Sequence, residues 1–245
     1  MRILLLNCIC LFLLQTTRTS QLFAQGELSN LQVIIKFEGE FNPIVLPNRI
    51  DSASCGNTTT QNIVELGSAK ELKDAVAWLE GKNLNALQPD DKTDATLVIS
   101  HCQLKPRVLI VSPSQNIRLR TEDPLSFDIH LEANLNRLRN WIIPPNLAEV
   151  LFSLDKAEIV SLRDELHPWI QSFVVVKQHS FVAKSDERGI AKISKVPQGQ
   201  YQLMLWHPGL GRNPESKSID LTKSSEVVEI NWHLAQAGST VTTRP

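Results

Sequence analysis

The stretch DELHPWIQSFVVVKQHSFVAKSDERG, residues 164–189, contains the segment that decides the fold. Its central run, QSFVVVK, is rich in β-branched and aromatic residues and predicts a strand. His167, Pro168 and Trp169 stand immediately before that run, where a turn would lead into the strand. Because histidine is a common metal ligand, the stretch raises the question of whether His167 binds a metal or only supports the fold.

Most of the remaining chain consists of similar short runs, separated by Gly, Pro, Asn and Asp. The run NLQVIIKFEG, residues 30–39, alternates apolar and polar residues and so has one apolar face. Other runs of this kind are ATLVIS, RVLIV, NIRLR, SFDIHLE, AEVLFSL and AEIVSL. Many short strands between turn signals predict an all-β protein made of antiparallel sandwiches or barrels.

Residues 68–80 depart from this pattern when they are read alone. Ser68 and Glu71 match a helix capping box, and Leu72, Val76 and Leu79 recur at helical spacing. The local pattern therefore predicts a helix, although tertiary packing often overrides such a preference.

A second unit is predicted at residues 179–235. In HSFVAKSDERGIAKISKVPQGQYQLMLWH, strand-like runs meet at ERG and PQG, and the runs KSIDL and EVVEINWHL follow. Gly189 and Gly199 fall where hairpin loops need a positive φ angle. We expect a small β-sandwich here and a disordered polar tail at residues 236–245.

Residues 1–24 have the order typical of a secretory signal peptide. A positively charged start precedes the apolar run ILLLNCICLFLL, and the polar stretch that follows ends in LFAQG. The apolar run is shorter than the roughly 20 residues that a membrane span needs. We therefore expect cleavage near residue 24, a periplasmic or extracellular location, and no membrane span after cleavage.

The exported chain would carry a slight negative charge. All 26 acidic residues lie beyond residue 24, whereas two of the 25 basic residues, Arg2 and Arg18, lie before it. This balance does not indicate a nucleic-acid partner, which needs a basic surface.

Cleavage would leave Cys55 and Cys102 as the two cysteines of the exported chain. In an oxidising compartment such a pair predicts a disulfide. Two buried free thiols are the alternative that the sequence leaves open.

Several stretches together resemble a family of exported cupredoxin-like proteins, of the plastocyanin-like or methylamine-utilisation type. They are ISHCQLKPRV (99–108), EDPLSFDIHLEANLN (122–136), the opening stretch (164–189), Cys55-Gly56, Trp206-His207 and Leu210-Gly211. The resemblance implies a cupredoxin-like Greek-key β-sandwich at residues 25–178. It also implies that a small transthyretin-like or carboxypeptidase regulatory-like β-sandwich follows at residues 179–235, and that the segment 68–80 supplies a strand.

The resemblance places four positions of this chain where the family holds its copper ligands. A type 1 copper centre uses two histidines, a cysteine thiolate and a weak axial methionine. The corresponding residues here are Phe127, Asp164, His167 and Ile170. We expect these four to cluster at one end of the first sandwich and to hold no copper, with Asp164 either facing water or paired with a donor such as His167. Such a pair would lower the pKa of Asp164.

A remodelled metal site is the weaker alternative. His130, Asp164 and His167 offer two imidazoles and a carboxylate, a set suited to copper(II), zinc or iron. Residues 127 and 130 are three positions apart on one predicted strand, so their side chains should point to opposite faces. His101, His179 and His207 are predicted to be surface or packing residues.

No nucleophile elbow, zinc-protease motif or phosphate-binding glycine loop occurs in the sequence. We therefore expect a non-enzymatic binding or scaffold protein without a cofactor, whose partner is an envelope or extracellular protein or a polysaccharide. The first alternative is a copper-binding or electron-transfer protein with a remodelled site. The second is a carbohydrate-binding accessory module, which exposed aromatic side chains on one sheet face would support.

Overall fold

The computed structural model describes residues 27–39, 41, 43–61, 64–82, 84, 93–145, 149–210 and 214–233. The predicted signal peptide (1–24) and the predicted tail (236–245) lie outside these residues. None of the helical structure in the described ranges is long and apolar enough to cross a membrane.

The described chain is almost entirely β-structure, as the sequence predicts. Its elements in chain order are β1 (Leu28–Glu38), β2 (Ile44–Pro47), α1 (Ser52–Cys55), β3 (Thr58–Gln61), β4 (Val76–Glu80), β5 (Ala95–Ser100), β6 (Gln103–Lys105), β7 (Val108–Val111), β8 (Ile117–Thr121), β9 (Phe127–Glu132), β10 (Arg139–Ile143), β11 (Val150–Phe152), β12 (Ile159–Asp164), β13 (Gln171–Val176), β14 (Val182–Lys184), β15 (Ile190–Pro197), β16 (Gly199–Trp206), β17 (Glu215–Leu221) and β18 (Ser225–His233).

Strands β5 to β13 form one sandwich, which we call the inner sandwich. One sheet has the order β10-β9-β12-β13-β7 and the other has the order β11-β8-β5-β6. The consecutive strands β6 and β7 belong to different sheets, and β5 pairs with β8 in parallel, as β13 does with β7. This mixed Greek-key order agrees with the predicted fold class.

The core of the inner sandwich follows from strict alternation along its strands. In β9, Phe127, Ile129 and Leu131 are fully buried, while Asp128 and His130 between them are partly exposed. Other fully buried members of this core are Leu97, Ile99, Ile117, Leu119, Ile143, Val160, Leu162, Ile170 and Val174. Each such side chain stabilises the fold by about 1.5–3 kcal/mol relative to exposure.

A second sandwich, the outer sandwich, surrounds the inner one in sequence. Its sheets have the orders β15-β1-β18 and β14-β4-β16-β17. The pairing therefore departs from the predicted division into residues 25–178 and 179–235. Strands β1 and β4 come from the first range but pair with strands of the second, so the nine strands of the inner sandwich are inserted between β4 and β14.

The segment 68–80 supplies strand β4 and not the helix that its local pattern predicts. Both faces of this strand are buried. Ala77 and Leu79 face the core of the outer sandwich, whereas Val76 and Trp78 belong to a different cluster. A strand buried on both faces is apolar at every position, and this hides the period-two signal of a strand.

The cluster that contains Val76 and Trp78 joins the two sandwiches. Val108 and Val175 of the inner sandwich pack there against Trp206 of the outer one. The ring centroids of Phe173 and Trp206 lie 5.3 Å apart in an edge-to-face arrangement. We call this contact the junction.

The hairpin β2–β3 and the short helix α1 lie between β1 and β4 in the chain but reach the inner sandwich. Cys55 at the end of α1 forms a disulfide with Cys102, with Cα atoms 5.6 Å apart, which confirms the predicted pairing. Asn48 holds this loop by donating to the carbonyls of Cys55 and Gly56. The carboxylate of Asp123 accepts the backbone N–H of Cys102 at 2.8 Å and fixes the other side of the disulfide.

Candidate functional site

The four positions that the resemblance matches to copper ligands lie together at one end of the inner sandwich, which we call the ligand end. Phe127 begins β9, Asp164 ends β12, His167 lies in the turn after it, and Ile170 immediately precedes β13. All four side chains are fully buried. Because β9, β12 and β13 are neighbours in one sheet, their adjacent ends bring these residues into contact.

The turn from β12 to β13 is closed by its own backbone. The Asp164 N–H donates to the carbonyl of Ile170 at 3.0 Å, and the Ile170 N–H donates to the carbonyl of His167 at 2.8 Å. The imidazole of His167 is packed between two aromatic rings, with centroids 5.6 Å from Phe127 and 5.3 Å from Trp169. The ring is therefore held in one position.

The carboxylate of Asp164 is the centre of the polar contacts at this end. It accepts the Asp128 N–H at 2.5 Å and the His167 N–H at 2.8 Å. It also contacts Nδ1 of His167 at 2.5 Å, so the expected pair of Asp164 with His167 is present. A fully buried carboxylate needs such partners, since an unpaired one is costly.

The expected direction of the Asp164 pKa is wrong. Burial raises the pKa of Asp164 above its ordinary value of 3.8, although its contacts with His167 and Asp128 act to lower it. The loss of hydration destabilises the charged form of the carboxylate more than these contacts stabilise it.

The second ring nitrogen of His167 contacts Asp51, a residue that the sequence reading did not select. Nε2 lies 3.1 Å from the Asp51 carboxylate, which remains partly exposed. Asp51 precedes α1 in a left-handed conformation (φ 50°). The useful signal was the predicted disulfide, because Cys55 is four residues further on and is tied to the inner sandwich.

These residues do not fit a copper centre. Phe127 and Ile170 have no donor atoms, and Asp164 supplies hard oxygen where a type 1 centre needs sulfur. Asp164 contacts Nδ1 of His167 and Asp51 contacts Nε2. Because the imidazole lies between these two carboxylates, they cannot bind one ion together. Across the described ranges, no group of three or more His, Cys, Asp or Glu side chains is arranged to hold a metal ion.

His130 does not join this cluster. It lies on the outer face of β9, opposite Arg163 of β12 and Asn140 of β10, while Phe127 points into the core. The alternation of a strand separates the two residues, as the sequence indicates. The set His130, Asp164 and His167 is therefore not brought together.

Two of the other histidines have structural environments. Nδ1 of His101 contacts the Ser100 hydroxyl at 2.9 Å in an exposed turn. His207 is fully buried; its Nε2 lies 3.1 Å from the Lys73 carbonyl, and its Nδ1 accepts the Gly209 N–H at 3.0 Å. Burial lowers the pKa of His207 to about 3, so this ring is neutral and holds two loops together.

Comparison with known proteins gives matches among solved structures alone. No family model and no curated protein sequence matches this chain. A purple cupredoxin from Nitrosopumilus maritimus is 14% identical, with a TM-score of 0.30 and coverage of 34% of this chain and 100% of that one. An amicyanin variant in the Cu(I) state is 15% identical, with a TM-score of 0.30 and coverage of 41% and 98%.

A copper-containing nitrite reductase (NirK) from Thermus scotoductus SA-01 is 11% identical, with a TM-score of 0.30. The match covers 40% of this chain and 27% of that one. Similarity at this level is too low to carry an argument about fold or activity. The description of the inner sandwich rests instead on its own strand order and pairing.

Proposed function

We propose that this is an exported, non-enzymatic binding or scaffold protein, built on a cupredoxin frame that has lost its type 1 copper site. The supporting observation is the composition of the ligand end. Phe127 and Ile170 fill it with apolar contact, and Asp164 and His167 satisfy each other within it. Nδ1 of His167 is engaged by Asp164 and Nε2 by Asp51, so neither ring nitrogen is free to bind a metal.

Export and the outer sandwich are part of the same proposal. The Cys55–Cys102 disulfide supports an oxidising compartment, either periplasmic or extracellular. Residues 179–235, which resemble a carboxypeptidase regulatory-like fold, supply strands β14 to β18 of the outer sandwich, and β1 and β4 complete it. The proposed partner is an envelope or extracellular protein or a polysaccharide.

The scaffold role is supported by the way the two sandwiches are fastened. The junction packs Trp206 against Phe173, and the disulfide ties the loop before β3 to the turn between β5 and β6 of the inner sandwich. Two separate fastenings oppose relative motion of the sandwiches. A fixed arrangement of two β-sandwiches suits the presentation of a binding surface.

No contact in the structure favours either alternative function, copper binding or carbohydrate recognition. For copper binding, Nδ1 of His167 is engaged by Asp164. For carbohydrate recognition, an exposed aromatic platform is needed, but Tyr201, Trp206 and Trp232 of the outer sandwich are all at most 8% exposed. The binding or scaffold role is therefore the function we propose.

Restoring the ligand set tests the cupredoxin frame. The variant F127H/D164C/I170M places the two imidazoles, the thiolate and the thioether of a type 1 centre around His167. We expect it to bind one copper(II) and to show the intense blue absorption of a thiolate–copper(II) transition. The control F127H/I170M lacks the thiolate and should remain colourless.

Circular dichroism and cooperative unfolding establish that each variant is folded. A folded triple variant that stays colourless with stoichiometric copper(II) would contradict the proposal, because the four positions would then not converge as in a copper protein.

A further inference from the structure

A cleft of about 300 Å³ lies beside the junction, at the far end of β12 and β13 from the ligand end. It is found where β4 ends at Glu80 and where the chain leaves β13 through Lys177. Its volume is at the lower end of the range of about 300–1,000 Å³ that small-molecule sites occupy. The four residues of the ligand end take no part in it, so this cleft needs a separate explanation.

Lys177 lines this cleft from a fixed backbone position. Its N–H donates to the Val111 carbonyl of β7 at 3.0 Å, immediately after β13 ends. Its Nζ atom lies 3.5 Å above the ring centroid of Trp78, which is itself 2% exposed. The indole therefore forms a buried apolar floor beneath the amine, and a small molecule can reach the nitrogen from the open side of the cleft.

No acceptor in the cleft holds the amine in its charged form. Within the part of the chain that the structure describes, Nζ of Lys177 forms neither an ion pair nor a hydrogen bond. The Oε1 atom of Glu80 accepts the indole N–H of Trp78 at 3.1 Å, and this carboxylate attracts Lys177 without direct contact. Burial, followed by the charge of Lys177, lowers the pKa of the neighbouring His179, so its ring is neutral at pH 7.

The partial burial of Lys177 favours the neutral amine. Burial lowers the pKa of Lys177 from 10.5 to about 8, against the attraction of Glu80. At pH 7 about one amine in ten is then unprotonated, compared with about one in three thousand for a lysine of pKa 10.5. The unprotonated amine carries the lone pair that attacks an electrophile, and desolvation is a common way to activate a nucleophilic lysine.

We propose that Lys177 captures the aldehyde group of a small molecule in this cleft as a covalent imine. The nitrogen lone pair adds to the carbonyl carbon, and the carbonyl oxygen takes up a proton to give a carbinolamine. Both amine protons finally leave with that oxygen as water, by exchange with the solvent in the open cleft. The step therefore needs no oxidant and no reductant.

An aldehyde suits the cleft better than an acyl donor does. Imine formation needs a neutral amine, room for a small carbonyl compound and access to water, and the cleft supplies all three. Acyl transfer would also need donors that stabilise an oxyanion and a place for a leaving group. The site does not depend on the fate of the copper position.

Reductive trapping measures imine formation at each lysine. The full exported chain is incubated with glycolaldehyde and cyanoborohydride, which reduces an imine to a stable secondary amine, and peptide mass spectrometry locates the modified lysines. At pH 7 we expect Lys177 to be modified about tenfold faster than Lys192, an exposed lysine of β15. The gain in free amine is larger than this, but the lower basicity and partial shielding of the nitrogen offset part of it.

The pH profile distinguishes an activated amine from a lysine that is simply accessible. Labelling of Lys177 should level off above about pH 8, where its amine is already largely neutral. Labelling of a lysine with the ordinary pKa keeps rising towards pH 10. The rate at Lys177, divided by the rate at Lys192 in the same digest, should therefore fall between pH 8 and pH 10.

Substitutions locate the site and test the role of its charges. K177R keeps a cation over Trp78 but has no nucleophilic amine, so the fast labelling should disappear. E80Q keeps an oxygen for the Trp78 N–H but removes the charge that favours the ammonium, so labelling of Lys177 at pH 7 should become faster. D220N removes an exposed carboxylate of β17 and should leave the rate unchanged. Circular dichroism establishes that each variant is folded.

Maltotriose presents the same aldehyde chemistry at the reducing end of a saccharide, and its comparison with glycolaldehyde identifies the source. Selective labelling by glycolaldehyde alone assigns the site to small free aldehydes, whereas selective labelling by both extends it to reducing ends. The proposal is overturned if Lys177 of the folded chain reacts no faster than Lys192 with either compound. It is also overturned if folded E80Q and D220N are labelled alike.

Discussion

The two ends of the β12–β13 pair offer a direct comparison. Each strand has six residues, so the ends are separated by about 20 Å. At the ligand end, the carboxylate of Asp164 and both nitrogens of His167 have partners. At the junction end, Lys177 is partly buried and His179 is buried, and the Nδ1 atom of His179 forms no hydrogen bond.

This difference shows that burial of a polar side chain does not by itself indicate function. His167 was the obvious candidate because of the motif around it, but its contacts make it part of the packing. His179 was expected to be a packing residue, but it retains unused bonding capacity. What separates the two ends is whether the ring nitrogens of the buried histidine have partners. The following substitutions test this difference from the largest expected effect to the smallest.

Removing the disulfide should have the largest effect on the ligand end. Cys55 and Cys102 are separated by 47 residues, and opening a loop of this length costs about 4 kcal/mol in the chain-entropy model. The variant C55S/C102S should lose about that much free energy of unfolding in urea. Thiol titration of the native chain should give no free thiol, and two thiols per folded chain would contradict the account.

The substitution D164A should lower the free energy of unfolding by about 3 kcal/mol, because it leaves a buried imidazole and two backbone N–H groups without their acceptor. Urea denaturation measures the change. D220A removes an exposed carboxylate of β17 and is the matched control, with an expected effect near zero. An equal effect for the two variants would show that the contacts of Asp164 do not stabilise the fold.

At the junction end, removing a polar side chain should stabilise the fold, whereas D164A destabilises it. K177M removes a partly buried ammonium that has no ion pair among the described residues. It should raise the free energy of unfolding by about 1 kcal/mol at pH 7, after the loss of its contact with Trp78. Chemical denaturation of both proteins measures the difference. If K177M were less stable than the wild-type protein, the ammonium of Lys177 would have stabilising contacts like those of Asp164 at the ligand end.

The difference in stability between the wild-type protein and K177M should also depend on pH. The pKa of Lys177 is lowered to about 8 in the folded chain, from an ordinary value of 10.5. Between these pH values the unfolded chain binds the proton that the folded chain has released, so wild-type stability rises with pH. The advantage of K177M should therefore shrink as pH increases from 8 to 10. An advantage that stays constant would contradict the assignment.

The smallest effect is expected at Asp51. D51N keeps an oxygen near Nε2 of His167 but removes the charge of a carboxylate that is 41% exposed. Exposed charges contribute little, so the free energy of unfolding should fall by about 0.5 kcal/mol. A loss as large as that of D164A would place the main support of His167 on the loop and not on β12.

Local alternation was enough to predict most strands and the side on which their residues lie. Phe127 and His130 are separated by it as expected, and Ile129 and Leu131 continue the buried face. Alternation did not predict β4, because both faces of this strand are packed and residues 76–79 are all apolar. It could not reveal the insertion either, since β1 and β4 pair with strands more than 100 residues later.

The candidate sites divide in the same way. The residues of the ligand end could be selected because two stretches, DPLSFDIH and DELHPWI, resemble the ligand stretches of cupredoxin-like proteins. Lys177 and His179 lie two positions apart where the chain bends after the end of β13. The Trp78 ring that Lys177 covers comes from β4, so this contact could not be seen before the fold was known.

Equilibrium dialysis of the exported chain against micromolar copper(II) tests the central claim most directly. The account predicts no stoichiometric copper in the wild-type protein and the same low copper content in H167F, because the imidazole is already bonded through both nitrogens. One copper per chain that is lost in folded H167F would contradict it, since His167 would then be a ligand and the site would not have been lost.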